Sequence, residues 1–443
     1  MQDVKPACIF KPATAQDVAK GIKALNSNQT QKWNVAVKGG GHAPYASNNV
    51  QDGVTIDLAR LNSVVYNTCK QGSKYGHVHI GAGARWSEVY ATLEPQGIMA
   101  GGGRESHVGV AGFLLGGGFS WYSGKRGMAI EDVVAYEVVL ADGSIVRATG
   151  TKHNDLFKAL KGGLNNLGIV TKFELKTFPA KNIYGGIIAF AWPSVEGVLA
   201  KFVGMVNNAE THPEETGFLS FAWSPSYPMP MAVWITANTD GVANSTSFQG
   251  LEDLGPVMDY RMNMPLTGLS AQMAGATGLY NVWYTVTIEN NMDMVRKYMQ
   301  IYIDMVDSLV GQIDEEISLI FVLSPLPKTY AHRSIPGSNI LGLDKTLTKN
   351  SIILQPEVIL PSKRYQSLIA GKLRDAVAEM EAYAKSKDQY NPYLYINYAN
   401  PEQNPLAAYG SGNVDFLAKT ARKYDPSGYF QTRVAGAFKV SAL

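Results

Sequence analysis

"GGGRESHVGVAGFLLGGG", residues 101–118, crowds glycines at 101–103, 109, 112 and 116–118. Glycine costs backbone entropy on folding and offers no side chain to a core. Such a density persists where a backbone turns sharply or lies against a ligand. An earlier stretch, "VKGGGHAPY" (37–45), repeats the theme and sets His42 directly after Gly39, Gly40 and Gly41. Neither stretch is a standard nucleotide loop. Residues 109–118 do not give G-x-G-x-x-G, and "GGGFSWYSGKR" (116–126) has the wrong P-loop spacing and Arg126 where Ser or Thr must hold Mg²⁺. What is left is separate glycine loops rich in free backbone N–H groups, which can cradle a pyrophosphate without charged side chains. The loops at 39–42 and 101–112 are expected to converge on one extended ligand.

Around these loops the composition is that of a large globular protein. With 443 residues, 46% hydrophobic and 17% charged, the chain exceeds one typical core, and two domains are expected. Lys+Arg is 39 and Asp+Glu is 37. That balance gives no footprint for nucleic acid or an anionic membrane, so neither is an expected partner. No apolar run approaches the roughly 18 residues of a spanning helix. "MQDVKPACIF" carries no signal-peptide core, so the location is cytoplasmic, or secreted if a leader has been removed. Cys8 and Cys69 allow one bridge or two free thiols. Asn28 and Asn244 fit the glycosylation pattern, which two sites meet easily by chance in a chain this long.

Periodicity divides the chain in three. Residues 1–180 read as a β-rich α+β unit. It has a capped helix from Thr14, strands near 34–38, 53–61, 63–67 and 75–83, a short helix at 86–97, a hairpin about Asp142-Gly143, a helix at 153–161 and a strand at 168–179. Residues 181–395 carry longer alternating strands and amphipathic helices at 193–210, 293–309 and 362–387, which predicts a large, mostly antiparallel sheet. Residues 396–443 form a distinct C-terminal segment. His77 and His79 share a strand face, but no third ligand stands near in sequence, so no metal is expected. His332 reads as a loop residue. G-x-S-x-G, H-E-x-x-H and C-x-x-C are all missing, which weakens hydrolase and zinc readings.

Several stretches in fixed order carry a resemblance. They are "PACIFKPATAQDVAKGI", "VAVKGGGHAPYASNNVQDGVTIDLARLNSVVYN", the run from "GAGARWSEVY" to "VVLADG", "NDLFKALKGGLNNLGIVTKFELKT" and "YINYANPEQNPLAAYG…KYDPSGYFQ". Together they resemble the berberine-bridge-enzyme-like FAD-linked oxidoreductases of the vanillyl-alcohol-oxidase fold, the fungal members above all. The resemblance implies an α+β fold: a two-part FAD-binding domain of small sheets with helices (1–180, with 396–443 returning to it) and a substrate domain built on a large antiparallel sheet flanked by helices (181–395).

That family's loop reads Arg-Ser-Gly-Gly-His, and its histidine bonds the flavin 8α carbon. The resemblance therefore implies FAD held by one covalent link through His42, with Lys38 in place of the arginine. Some relatives add a cysteinyl link, for which Glu105 stands here. Implied cofactor contacts come from Lys38, Gly39, Gly40, Gly41, Gly102, Gly103, Ser106, Val108, Gly109 and Gly112, and from Gly168, Ile169 and Val170 on the adenine side. A valine at the Val108 position accompanies oxygen use in the family. The implied activity is an FAD-dependent oxidase: a small-molecule alcohol, sugar or secondary metabolite gives up hydride, and O₂ reoxidises the flavin to yield H₂O₂. The alternative is a non-redox cyclase or isomerase that retains FAD. A base must take the substrate proton. Tyr395 and Asn397, two apart in "YLYINYAN" and so on one face if that stretch is a strand, are candidates. Tyr122 is another, and Glu357 and His107 are weaker ones.

Overall fold

In a computed structural model, the structure describes residues 4–27, 32–45, 47–67, 75–227 and 229–442. Asn28 and Cys69 lie outside the described residues; Cys8 is exposed. The first helix, Ala15–Ser27, begins at a reciprocal cap: Asp17 N–H donates to Thr14 Oγ1 (3.1 Å) and Thr14 N–H to Asp17 Oδ2 (3.0 Å). Its apolar face buries Val18, Ala19 and Ile22. Three short strands form a parallel sheet with Val54–Asp57 between Cys8–Phe10 and Val35–Lys38. Lys38 ends the last of these, and the chain leaves it straight into Gly39. A five-stranded antiparallel sheet follows in the order Val64–Asn67, His77–Gly81, Ile169–Lys176, Val133–Val139, Ile145–Thr149. Gly143 closes its hairpin at φ +76°, a conformation costly for any side chain. His77 and His79 share a face, both turned to Glu174 at 3.1 and 3.6 Å, with Arg147 on the same carboxylate.

The second half is built on ten strands, all antiparallel. The main path runs Met258–Asp259, Ile183–Ala191, Met231–Asn238, Glu215–Trp223, Ser318–Leu326, Ser351–Leu360, Val286–Glu289, Tyr390–Asn391. Two short strands, Met262–Met264 and Tyr280–Trp283, pair off that path. The period of two splits this sheet cleanly. Leu319, Phe321 and Leu323, with Ile352, Leu354, Val358 and Leu360, pack into one core with the helices Val195–Asn207, Met292–Leu309 and Gln366–Ser386. The intervening residues, among them Ser220, Phe218, Ser324, Gln355 and Glu357, point to the other face, toward the glycine loops.

The α+β class holds, with two hydrophobic cores. One gathers the small sheets and helices; it also takes in Tyr393, Tyr395, Tyr409, Leu417, Phe430 and Phe438 from the far end of the chain. The stretch "YLYINYAN" (393–400) is not a strand. The strand stops at Asn391, residues 392–395 are irregular and 396–398 turn. Pro392 has no N–H to give to a ladder, and Asn391 Oδ1 takes the Tyr393 N–H at 2.9 Å, which bends the chain out of the sheet.

One ion pair underpins the second glycine loop. Arg126 holds Asp132 through two hydrogen bonds, Nε–Oδ2 2.6 Å and Nη2–Oδ1 2.7 Å, while Asp132 is buried. A Cβ on Gly101 would meet that carboxylate at 3.6 Å. Arg126→Met strands a buried carboxylate, at a cost of about 3–5 kcal/mol. The urea midpoint should fall accordingly, and Arg126→Met with Asp132→Leu together should recover part of the loss.

Candidate functional site

The two glycine loops touch. A Cβ on Gly40 would lie 2.3 Å from Gly109 Cα, and one on Gly109 would lie 2.4 Å from Gly40 N, so only glycine fits at either position. Gly41 takes φ +74°, turning the loop over the Lys38 stem. Lys38 Nζ reaches the buried Asp57 at 3.4 Å. Arg85 ties the loops across the junction: Nη1 donates to His107 O (2.7 Å) and Nη2 to Gly40 O (3.0 Å). Sequence reading passed over Arg85. Its only local sign is the position before the helix Trp86–Leu93, whose cap forms when Arg85 N–H donates to Glu88 Oε2 at 2.7 Å.

The backbone of these loops is unspent. Among the described residues, the amides of Gly39 through His42 and of Gly101 through Gly109 meet no acceptor, although Gly101, Gly102, Gly103, Ser106 and Gly109 are buried. Buried N–H groups without partners are rare, and a run of them marks the seat of an acceptor-rich ligand. Gly112 opens onto free space: nothing lies within 4 Å of a Cβ built there. The cradle therefore fits a dinucleotide pyrophosphate. Gly102 and Gly103 also have a packing reason, since a Cβ on them would strike the Trp86 indole at 2.1 and 2.7 Å. Ser106 O and Val108 O accept from the Ser87 and Trp86 amides, which fixes the half-buried Val108 beside the junction. Gly168 is pressed against Val138, and Ile169 and Val170 are buried in the five-stranded sheet.

His42 stands at this junction. Its ring is open to water yet hemmed in by protein, and that crowding depresses its pKa below the ordinary histidine value. Arg85 and His107 push it the same way, while Glu105 opposes them. Above the depressed pKa the ring is neutral, so a nitrogen lone pair is available at pH 7. Glu105 lies 3.3 Å from His107 Nδ1, and its buried oxygens have no hydrogen-bond donor among the described residues.

Across from the junction lies an aromatic box. Tyr395 Oη accepts from Phe119 N–H (3.3 Å) and from Asn397 Nδ2 (3.0 Å), and Asn397 Nδ2 also donates to Phe113 O (3.2 Å). Tyr395 and Asn397 thus meet through the turn and not along a strand. Gly116 makes room for Asn397, whose Oδ1 would lie 2.1 Å from a Cβ there. Burial pushes the Tyr395 hydroxyl well above the usual phenol value, Tyr398 adds to this, and Asn397, Phe119 N–H and Arg104 oppose it. Phe119 and Tyr398 pack on the Tyr395 ring at 4.2 and 4.8 Å. Arg104, a second residue missed in sequence, reaches into the box: Nη2 donates to Tyr398 Oη (2.7 Å) and Ser324 Oγ (3.3 Å).

Tyr122 does not join this group. It packs edge-on against Phe178, its hydroxyl has no hydrogen-bond partner among the described residues, and burial, with Glu94 and Asp240 behind it, raises its pKa. Glu357 lies on the sheet face turned toward the loops. It accepts from Gln355 Nε2 (3.2 Å), and burial pushes its carboxyl up to about 7. Removing the clamp tests the cradle directly. Arg85→Met should leave the far-ultraviolet dichroism unchanged while noncovalently held FAD, measured in the His42→Ala background, is lost on dialysis about 10-fold faster.

Residues 6–149 match the FAD binding domain family. The chain is 31% identical over 442 residues to the FAD-dependent monooxygenase drtC of Aspergillus calidoustus, covering 99% of this chain and 83% of that one. It is 30% identical to the FAD-dependent monooxygenase sdcF of Emericella nidulans, covering 98% and 90%. Among solved structures, 6-hydroxy-D-nicotine oxidase from Arthrobacter nicotinovorans superimposes with a TM-score of 0.79 at 20% identity, over 98% of this chain and 92% of that one. Berberine bridge enzyme from Eschscholzia californica gives 0.77 at 15%, over 98% and 90%. Glucooligosaccharide oxidase from Acremonium strictum, described with a 6-S-cysteinyl, 8α-N1-histidyl FAD, gives 0.75 at 20%, over 98% and 92%. Paired glycine loops with free amides, a large antiparallel sheet facing them and relatives matched along nearly their whole length all agree: the chain belongs to the family of FAD-dependent oxidoreductases that includes the fungal FAD-dependent monooxygenases drtC and sdcF, and it shares the fold of berberine bridge enzyme.

Proposed function

We propose that the protein is an oxidase of a small-molecule alcohol, sugar or secondary metabolite, with FAD attached by one covalent bond at His42 and O₂ as the electron acceptor. The reading rests on one observation above the others: a tyrosine hydroxyl, fixed by two hydrogen-bond donors, stands in an aromatic box beside the unpaired amide cradle. Bound FAD supplies the hydride acceptor and the route of electrons to O₂. The chain supplies the rest. The free amides of 39–42 and 101–109 take the pyrophosphate. Neutral His42 offers the nucleophilic nitrogen for attachment, and Glu105 in place of cysteine leaves no second thiol link at that position. Val108 flanks the junction, which supports oxygen use.

At Tyr395 the two donors hold Oη in place and occupy both lone pairs of the neutral phenol, so a lone pair for the substrate hydroxyl's proton exists only in the ionised form. Burial keeps the group a neutral phenol at pH 7, so its working form as a base is the minor, ionised one. That sets the sign of the pH dependence. Substrate oxidation should rise about tenfold per pH unit through neutrality and level only above pH 10, because the raised pKa lies beyond it. A base at Glu357 would instead level off just above its pKa of about 7. Tyr395→Phe should cut the anaerobic flavin-reduction rate about 10²–10⁴-fold and abolish the alkaline limb. A variant within a few-fold of wild type, or a limb that plateaus near pH 7, moves the role away from Tyr395. Tyr122→Phe should change the rate little.

The names of the sequence relatives favour a second reading, monooxygenation. Labelled O₂ separates the two: an oxidase gives one H₂O₂ per substrate and no label in product, whereas a monooxygenase puts one oxygen atom into product. Attachment is tested on the protein alone. After acid precipitation the yellow colour should stay in the pellet and map to the His42 peptide, and His42→Ala should release it to the supernatant.

A further inference from the structure

Among the described residues Arg104 is a cation without an anion. It comes off the second glycine loop and crosses to the open face of the ten-stranded sheet. Nη2 donates to Tyr398 Oη at 2.7 Å and to Ser324 Oγ at 3.3 Å, and its guanidinium carbon sits 4.5 Å above the Phe218 ring. These partners are all neutral. Among the described residues no carboxylate lies within 4.0 Å of it, and the adjacent acid, Glu105, is turned to His107. Arg126, Arg147 and Arg261 differ: each rests on Asp or Glu. Arg104 is half-buried, with Trp121 stacked on Phe218 at 6.0 Å behind it and Phe119, Tyr395 and Tyr398 beside it. A partly desolvated guanidinium held flat by an aromatic ring, with Nε and Nη1 donors unused among the described residues, is a fork lacking its planar acceptor.

We propose that Arg104 binds an anionic oxygen of the substrate, and that the substrate class is a planar aromatic carrying a carboxylate or an ionised phenol. The fork supplies the charge-assisted bonds, and Phe218, Trp121, Phe119 and Tyr398 supply flat apolar walls. This places the reacting carbon of the substrate toward Tyr395, whose ring touches that of Tyr398. The inference rests on the FAD-oxidoreductase reading of the same site. The one competing source of negative charge is FAD itself, which takes up charge on reduction; Arg104 would then tune the cofactor and not the ligand.

The test uses the FAD-loaded protein, with FAD content read first, so that loss of the cofactor is not mistaken for loss of the ligand. Benzoate is the probe and benzamide its neutral counterpart, each titrated against the flavin absorption band. Benzoate should perturb the band and bind about 10–100-fold more tightly than benzamide. Arg104→Gln should erase that preference, Arg104→Lys should keep part of it, and the flavin midpoint potential should be unchanged in both. Equal binding of the two probes, no binding of benzoate, or an Arg104→Gln variant that keeps its benzoate affinity overturns the proposal. A potential shifted in Arg104→Gln with probe preference intact also overturns it and assigns the charge to reduced FAD. A wild-type protein that holds no FAD fails the earlier reading instead.

Discussion

Everything at the site depends on two backbones coming closer than side chains allow. Gly40 and Gly109 pack so that a single methyl on either would clash with the main chain of the other. This contact sets the distance between the two loops, and hence the width of the amide cradle. It also fixes where His42 and Glu105 stand. Arg85 then locks the junction with bonds to one carbonyl from each loop. The arrangement is costly in isolation, since flexible residues and unpaired amides are both unfavourable. It is stable because the surrounding sheets and the Trp86 helix hold the loop ends, and because a ligand is expected to satisfy the amides.

The division of labour between the two halves follows from strand periodicity. One face of the large sheet is closed by three helices and contributes nothing to chemistry. The other face sets Ser220, Ser324, Gln355 and Glu357 among Val233, Val322, Ile320 and Ile353, beside Phe218, where a fully buried sheet would carry aliphatics throughout. A polar stripe on such a face is tolerable only if something polar covers it. Here the Gly101–Gly109 loop does so through Arg104, whose bonds to Ser324 and Tyr398 reach across the two halves of the molecule.

How much of this was legible in the sequence depends on range. Glycine spacing, caps and alternation are local signals, so the sheets, most helices and the two loops could be read directly. Tyr395 and Asn397 were paired by a strand period, and they do meet, but through a turn forced by Asn391-Pro392, a dipeptide whose effect the alternation of aromatics masked. Arg85 and Arg104 were invisible. Their partners lie at residues 40, 324 and 398, and an arginine in a loop looks the same whether it is solvated or clamped. Gly102 and Gly103 show the converse problem. Glycine that yields to an indole and glycine that yields to a phosphate leave the same letter in the sequence. The Tyr122 hydroxyl shows a third limit, since proximity in sequence to a glycine loop says nothing about which way a ring turns.

The return of the chain's far end to the first core has a consequence for synthesis. Val35 N–H donates to Arg433 O (2.8 Å) and Ala435 N–H to Val35 O (2.7 Å), while Asn166 and Asn165 hold Phe438, Ala435 and Lys439. The sheet that launches the His42 loop is therefore finished by residues that leave the ribosome after the whole ten-stranded sheet. Completion of that sheet is therefore expected late in folding, with the outer side of Val35–Lys38 uncovered until the second half has been made. An enzyme so threaded is expected to need chaperone cover during translation, and FAD loading becomes a late, post-synthetic event that reports on completion of the entire chain.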